Sequence, residues 1–188
     1  MQADQQTISR LETLSTEQRN PESMGLSSWT TLELLRCINR QDQTVAVRVA
    51  DVLGDIAKAV DLIAQRMQQG GRMVYVGTGT SGRLGYMDAA ECPPTYGCGE
   101  DAITCVMAGG RDAVFHAQEA LEDHGEIARM DLEKWGLRPA DTVVAASASG
   151  RTPYSVSALD YAQSLGCVRV ALVCNRNSEM ARHADVAV

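Results

Sequence analysis

The fold is decided by a stretch in the first half of the chain that reads MVYVGTGTSGRLG over residues 73–85. Four apolar residues are followed at once by glycines, hydroxyl side chains and a helical pattern. A short apolar run of this kind is typical of a buried parallel strand that turns sharply into a helix. The stretch therefore predicts a βα unit whose glycine-rich turn lets a ligand approach the backbone.

The same alternation continues along the rest of the chain. Apolar runs predict strands over residues 73–76, 103–107, 142–146 and 168–173, with a fifth beginning near Asp185. Between them, helical patterns cover residues 82–90, 112–135 with a break near Gly125, 153–165 and 178–183. Strands that alternate with helices indicate an α/β fold, with helices on both faces of a five-stranded parallel sheet.

The N-terminal region has a different character. Residues 1–26 are polar and irregular, which predicts an arm, and residues 27–188 form the predicted domain. Thr30 and Glu33 have the spacing of a capping box that opens a helix. A long apolar periodicity then predicts a second helix over residues 44–69.

Composition narrows the classes of function. Apolar residues make up 45% of the chain and aromatic residues 4%, so aliphatic side chains must build the core. The net charge of −7 disfavours a nucleic-acid surface. The six cysteines show no C-x-x-C spacing and the three histidines no ligand motif, which predicts buried thiols, no metal and a reducing compartment. With no signal peptide and no membrane-length apolar run, we expect a cytoplasmic protein.

A second loop resembles the first. Residues 147–154 read SASGRTPY and share with residues 81–86 a Ser-Gly-Arg triplet followed by a tyrosine three residues after the arginine. Hydroxyls and free N–H groups at a helix N-terminus form an anion site. The phosphate of a sugar suits such a site, and the hydroxyls expected to touch it are Ser81, Ser149 and Thr152.

Two other interpretations of the loops stay open. Gly77, Gly79 and Gly82 form a G-x-G-x-x-G pattern, but the next strand ends in Met107-Ala108-Gly109-Gly110-Arg111, without the carboxylate that a dinucleotide-binding fold places there. The loops can also be plain βα turns. Their duplication at neighbouring strand ends favours a ligand.

Two carboxylates are candidates for acid–base chemistry. Glu91 lies just before Pro93-Pro94, which predicts an extended backbone that holds the side chain rigidly. Glu122 lies among Glu119, Asp123 and Glu126, and spacing alone equally predicts the solvated face of a helix.

The motifs as a whole resemble the N-acetylmuramic acid 6-phosphate etherase family. The similarity rests on GTGTSGRLGYMDAAECPPT over residues 77–95, LED over 121–123 and SASGRTPY over 147–154. It extends from about residue 14 to residue 188. The chain departs from the family pattern at Met24-Gly25, Tyr86-Met87 and Ala90, and it lacks the helical C-terminal region of the family.

The resemblance implies a sugar isomerase (SIS) fold and a homodimer with its sites near the subunit interface. It implies a lyase that releases D-lactate from N-acetylmuramic acid 6-phosphate in amino-sugar and peptidoglycan recycling, without a cofactor. Glu91 and Glu122 then match the catalytic acid and base, with Glu91 as the proton donor. The substrate and phosphate ligands fall on the first loop (Thr80, Ser81, Gly82) and the second (Ser147, Ser149, Thr152).

Two alternatives remain beside the lyase. A non-catalytic sugar-phosphate sensor, as in the glucokinase regulatory protein, binds the phosphosugar without turnover. A phosphosugar isomerase needs one base to move a proton between C1 and C2. Only the lyase releases lactate, and its activity in a chain without the C-terminal region is a separate question.

Overall fold

The computed structural model describes residues 15–188, with the side chain of Glu119 left out. The chain divides into two compact units, Met1–Ile56 and Ala57–Val188, which are described here one at a time. Residues 1–14 of the predicted N-terminal arm lie outside the described residues, and the division at residue 26 stays a prediction.

The first unit consists of short turns followed by a long helix. Three 3₁₀ helices, each of three residues, cover Ser15–Glu17, Pro21–Ser23 and Leu26–Ser28, and α1 runs from Thr31 to Ala50. The predicted capping box is confirmed, since the Thr30 hydroxyl accepts the Glu33 N–H at 3.3 Å and the Thr30 N–H donates to the Glu33 carboxylate at 2.7 Å.

The predicted helix over residues 44–69 has the wrong bounds. Residues 44–50 belong to α1, and α2 covers Leu53–Gln68. The Asp51 N–H donates to the Arg48 carbonyl three residues back, and the Val52 N–H donates in the same way to Val49. This tightened turn separates the helices while the apolar periodicity continues through it, so the sequence pattern conceals the break.

The second unit contains a five-stranded parallel sheet, as predicted. The strands are β1 Met73–Gly77, β2 Ile103–Met107, β3 Thr142–Ser147, β4 Val168–Val173 and β5 Val186–Ala187. Their spatial order is β2-β1-β3-β4-β5, with every pair parallel. The helices are α3 Gly79–Tyr96, α4 Asp112–Phe115, α5 Gly125–Trp135, α6 Pro153–Leu165 and α7 Glu179–His183, with a 3₁₀ turn at Glu119–Leu121.

Alternate residues of the central strands build separate cores on the two faces of the sheet. On one face Val74, Val143 and Ala145 pack against buried residues of α5 and α6, among them Leu132 and Leu159. On the other face the cluster consists of Ala59, Met73, Val144, Val168, Val170 and Val186, and Leu62, Ile63 and Met67 of α2 pack against it. Both faces are thus covered by helices, as buried parallel strands require.

The segment between β2 and β3 differs from the predicted helix over residues 112–135. Helix α4 ends at Phe115, and α5 starts only at Gly125. The Arg83 guanidinium donates hydrogen bonds to the carbonyls of Ala113 and Val114, at 2.8 and 2.9 Å. These carbonyls at the end of α4 therefore bond to a side chain and not to the N–H groups of a further helical turn. As a result Glu122 lies in a connection and not on a helix face.

The cysteines are free thiols, and Cys37, Cys92, Cys105 and Cys167 are buried. Burial raises the pKa of Cys105 to about 12, so its thiol stays protonated at neutral pH. Among residues 15–188, none of the helices combines the length and the apolar character that crossing a membrane requires.

Candidate functional site

The two Ser-Gly-Arg loops lie side by side because β1 and β3 are neighbouring parallel strands. Gly77 pairs with Ala146, so the two strands end at the same level of the sheet. The chain leaves β1 towards β2 on one side, whereas β3 lies on the other side. A crevice at such a switch point, beyond the carboxyl ends of the strands, is where open α/β sheets bind ligands.

The second loop gathers its hydroxyls into one cluster. The Ser147 hydroxyl lies 2.8 Å from that of Thr152 and 3.4 Å from that of Ser149, and it accepts the Gly150 N–H at 3.2 Å. Thr152 stands at the N-cap of α6, yet its hydroxyl makes no capping bond. The three predicted ligands of this loop are therefore brought together beside the N–H groups of the first turn of α6.

The backbone of the second loop is fixed from behind by the segment after β4. Gly150 has a φ of 68°, and its carbonyl accepts the Met180 N–H at 2.8 Å. A Cβ on Gly150 would lie 2.4 Å from the Cβ of Ser178. The Asn175 amide donates to the Ser149 carbonyl at 3.2 Å. Only glycine fits at position 150, and the hydroxyl cluster rests on a rigid support.

The first loop places its hydroxyls at the start of α3, which begins at Gly79, three residues earlier than predicted. Thr80 is exposed and Ser81 half-buried, and both belong to the first helical turn, whose N–H groups have no partner within the helix. Gly82 is buried, and a Cβ there would lie 2.7 Å from that of Met107. The structure thus gives Gly82 a role in packing α3 against β2.

Glu122 joins the two loops. The Thr78 hydroxyl, at the end of β1, donates to the Glu122 carboxylate at 3.2 Å. The Tyr154 N–H, in the first turn of α6, donates to the Glu122 carbonyl at 3.1 Å. The Glu122 side chain is exposed at this edge of the sheet. A carboxylate between two helix N-termini lies where it can exchange a proton with a ligand bound at either of them.

Thr78 was missed in the sequence analysis, although it lies inside the glycine motif. Its signal was a hydroxyl between two glycines at a strand end, where a side chain has room to turn towards a neighbouring segment. What the sequence could not supply was the position of Glu122, because that residue arrives from a connection 44 residues away.

The arginine and the tyrosine of the Ser-Gly-Arg loops make packing contacts. Arg83 ties α4 to α3 through two backbone carbonyls and does not point at the crevice. Tyr154 is fully buried, and its hydroxyl donates to Asp131 at 2.7 Å. Burial, followed by that hydrogen bond, raises the pKa of Tyr154, so the phenol stays neutral. Arg83 of the first loop and Tyr154 after the second thus serve the packing of the loops.

Glu91 lies further along α3 than the other predicted site residues on that helix. It lies in α3, and the extended backbone predicted before Pro93-Pro94 is wrong, because both prolines lie inside the helix. Their fixed φ suits a helix, and the helix then ends at Gly97 in the left-handed conformation. Glu91 follows Gly79 by twelve residues, which at the rise of an α-helix is about 18 Å along the axis.

A comparison with protein-family models matches residues 55–163 to the model described as "Glucokinase regulatory protein N-terminal SIS domain". The match covers more than half of the chain, including both carboxylates and both loops.

Curated relatives share much more sequence with the chain. An N-acetylmuramic acid 6-phosphate etherase of Streptomyces coelicolor is 49% identical over 94% of the chain and 57% of that protein. Those of Clostridium beijerinckii and Actinobacillus pleuropneumoniae are each 44% identical, over 95% and 99% of the chain. The chain spans about three fifths of the length of these relatives, with 59% and 61% of the latter two covered.

Solved structures support the fold. A phosphoheptose isomerase from Francisella tularensis superposes with a TM-score of 0.68 at 17% identity, over 85% of each chain. A phosphoheptose isomerase from Neisseria gonorrhoeae gives 0.64 at 19% identity, over 84% of each chain. At these identities the likeness establishes the α/β SIS fold and nothing about the reaction.

Proposed function

The chain belongs to the family of glucokinase regulatory protein N-terminal SIS domains, and from this premise we propose that it is the phosphosugar-binding part of an N-acetylmuramic acid 6-phosphate etherase. Its reaction would release D-lactate from the phosphorylated amino sugar in the cytoplasm and leave N-acetylglucosamine 6-phosphate. The names and the 44–49% identity of the curated relatives support this choice over other phosphosugar chemistries.

The observation that carries the proposal is the position of Glu122 between two hydroxyl-lined helix starts. The substrate phosphate would bind the cluster of Ser147, Ser149 and Thr152 together with the Thr80–Ser81 turn, where N–H groups and hydroxyls face an anion without a metal. A sugar held by its terminal phosphate then extends towards Glu122. In this proposal the hydroxyl cluster binds the phosphate on C6, and Glu122 faces C2 of the open-chain sugar.

The chemistry uses the acidity of C2–H next to the open-chain aldehyde. Glu122, as the base, takes the C2 proton, and the electron pair forms the C2=C3 double bond as the C3–O bond to lactate breaks. Glu91, as the acid, gives its proton to the departing lactate oxygen. Water then adds its oxygen to C3 and gives a proton to Glu91, and Glu122 returns its proton to C2, which completes the amino sugar and restores both carboxyl groups. General acid and base each contribute about 10²–10⁴-fold in such steps.

The test is D-lactate release from N-acetylmuramic acid 6-phosphate, measured on this chain and on the chain extended to the length of its relatives. Glu122→Gln, which keeps size and hydrogen-bonding capacity, should lower the rate at least about 100-fold. Asp123→Asn, one residue further along and also exposed, is the matched control. Turnover by Glu122→Gln at the parental rate would remove Glu122 from the mechanism.

A phosphosugar sensor is the second candidate, because the matching family model is named after a regulatory protein. A sensor binds N-acetylmuramic acid 6-phosphate or N-acetylglucosamine 6-phosphate, which raises the unfolding temperature, but releases no lactate in either length of chain. That outcome would replace the etherase by the sensor. An isomerase would instead interconvert an aldose and a ketose phosphate without lactate.

A further inference from the structure

The segment after β4 binds three consecutive carbonyl groups of the second loop. The Ala148 carbonyl accepts the Cys174 N–H at 3.0 Å, and the Ser149 carbonyl accepts an N–H of the Asn175 side chain at 3.2 Å. The next carbonyl, that of Gly150, accepts a backbone N–H of α7 at 2.8 Å. All three carbonyl oxygens of the loop therefore point towards the segment after β4.

The direction of these carbonyls fixes the direction of the N–H groups that follow them. In a trans peptide the C=O and the N–H of the next residue point in opposite directions, and the described part of the chain contains no cis peptide bond. The N–H groups of Ser149, Gly150 and Arg151 thus point away from the segment after β4. The Gly150 N–H shows where they point, since it donates to the Ser147 hydroxyl of the cluster at 3.2 Å.

Two of these N–H groups are open to a ligand. Within residues 15–188, the N–H groups of Ser149 and Arg151 donate to no acceptor. Three peptide dipoles in a row thus present their positive ends on the side of the hydroxyl cluster. Backbone N–H groups arranged in this way stabilise an anion, so the orientation of the loop decides how well the cluster accepts a phosphate.

Asn175 supplies the side chain among the three donors that orient the loop. The other two donors are backbone N–H groups, which a substitution does not remove. Asn175 binds the middle peptide, the one whose N–H is bonded to Ser147. We propose that Asn175 is a positioning residue for the substrate phosphate, which keeps the Ser149 carbonyl turned away from the anion. This inference rests on the proposed function, since it concerns the site that would bind the phosphate.

The loss of the Asn175 amide has a defined consequence for the loop. The Ser149 carbonyl then has no donor, and the peptide between Ser149 and Gly150 is free to turn over. A turned peptide aims a carbonyl oxygen at the phosphate and takes the Gly150 N–H away from Ser147. A hydrogen bond to a charged group accounts for about tenfold to 100-fold in an equilibrium constant. We expect a loss of that size in phosphate affinity and no change in the proton transfer at Glu122.

The test compares Asn175→Ala with Asn177→Ala. Asn177 is exposed in the same segment, and its side chain makes no hydrogen bond within the described residues, so it is the matched control. Calorimetry with inorganic phosphate and with N-acetylglucosamine 6-phosphate should give Kd values raised about tenfold to 100-fold in Asn175→Ala and parental values in Asn177→Ala. In lactate release, KM should rise in Asn175→Ala while kcat at saturating substrate stays parental.

The outcomes separate this proposal from the proposed function. A merely structural role would lower the unfolding temperature of Asn175→Ala and leave both Kd values parental, which would overturn the positioning role and leave the etherase intact. An equal loss of affinity in Asn177→Ala would also overturn it. If the parent binds phosphate but releases no lactate, the etherase fails, and the Kd values still decide the role of Asn175. If the parent binds neither ligand, the positioning role is wrong together with the phosphate site.

Nuclear magnetic resonance on the parent tests the same proposal without a variant. Saturating inorganic phosphate should move the amide proton signals of Ser149 and Arg151 downfield, because both groups then donate to an anion. By linkage, it should also slow the exchange of the Asn175 side-chain amide protons with water. Gly166, after the far end of α6, is the control whose signal should stay in place. Bound phosphate that changes neither the two backbone signals nor the Asn175 exchange would contradict the proposal.

Discussion

At the scale of single residues, Thr78 shows how the orientation of a candidate catalytic carboxylate can depend on a neighbouring hydroxyl. Its hydroxyl donates to the Glu122 carboxylate, which otherwise stands exposed at the end of the sheet. A hydrogen bond to a charged group is worth about 1.5–3 kcal/mol. In the proposed function, the same bond selects one orientation of the carboxylate that takes the C2 proton.

We predict that Thr78→Val lowers kcat for lactate release by about tenfold to 100-fold and changes KM little, because valine keeps the volume and removes the donor. Thr78→Ser keeps the hydroxyl and should restore most of kcat. Steady-state kinetics on the three proteins measure the effect. A loss confined to KM would assign Thr78 to substrate binding instead of positioning Glu122.

Gly150 carries a second prediction at this scale. Gly150 and Gly166 share a positive φ, of 68° and 79°, but only Gly150 has a close neighbour, Ser178. Alanine at Gly166 should cost about 1–2 kcal/mol of unfolding free energy through φ alone. Alanine at Gly150 should cost about 2 kcal/mol more because of the clash. Urea unfolding of both variants gives the difference, and equal losses would show that the loop relaxes.

At the scale of elements, Asp141 fastens the beginning of β3 to the beginning of β1. Its buried carboxylate pairs with Arg72 at 2.7 Å and accepts the backbone N–H groups of Arg72 and Arg138 at 2.9 Å each. Arg72 also stacks on Trp135, 3.8 Å from the ring centroid. Burial raises the pKa of Asp141, but the hydrogen bonds from Arg72 and Arg138 outweigh it, and the net pKa is lowered.

The sign of the pH dependence follows from that lowered pKa. Ionised Asp141 stabilises the fold at pH values above the unfolded pKa of about 3.9, and the contribution is lost as the pH falls towards the folded pKa. Asp141→Asn should therefore cost about 3 kcal/mol at pH 7, and the gap to the parent should narrow below about pH 4. Unfolding measured from pH 7 to pH 3 tests this, with Asp123→Asn as an exposed control. A gap that stays constant would show that the charge of Asp141 is unimportant.

The elements also show what the sequence could and could not predict. The apolar runs were sufficient to predict all five strands, since parallel strands between two helical layers consist mostly of apolar residues. The end of α4 was hidden, because it depends on Arg83, a side chain from another helix. The helical state of Pro93 was missed because proline disfavours the interior of a helix. The packing of α3 on the sheet outweighs that preference.

The arrangement of the candidate site was likewise predictable only in part. Ser147, Ser149 and Thr152 follow one strand closely, so their sequence spacing predicted the cluster that the structure contains. Glu122 meets Thr78 only through the order of the strands, which sequence spacing does not encode. The position of Glu91 along α3 could not be predicted without the length of that helix, which the motif does not reveal.

At the scale of the whole molecule, the loop after β3, the connection that carries Glu122 and the segment after β4 meet beyond the carboxyl ends of β1 and β3. A ligand bound there contacts several elements at once, and because it binds only the folded chain, it stabilises the fold by mass action. In the proposed function, inorganic phosphate offers only the anion for the loops, whereas a phosphorylated amino sugar also extends towards Glu122.

We therefore predict that N-acetylglucosamine 6-phosphate raises the unfolding temperature of the chain more than inorganic phosphate does at the same concentration. At a ligand concentration of 100 times its Kd, linkage adds about 2.7 kcal/mol to the free energy of unfolding. Thermal unfolding over a concentration series of each ligand measures both effects. Thr152→Val removes one hydroxyl of the cluster and should weaken the response to both ligands, whereas the exposed Asp123→Asn is the control and should respond as the parent does. Equal responses of the parent to phosphate and to sugar phosphate would mean that the chain recognises the phosphate alone.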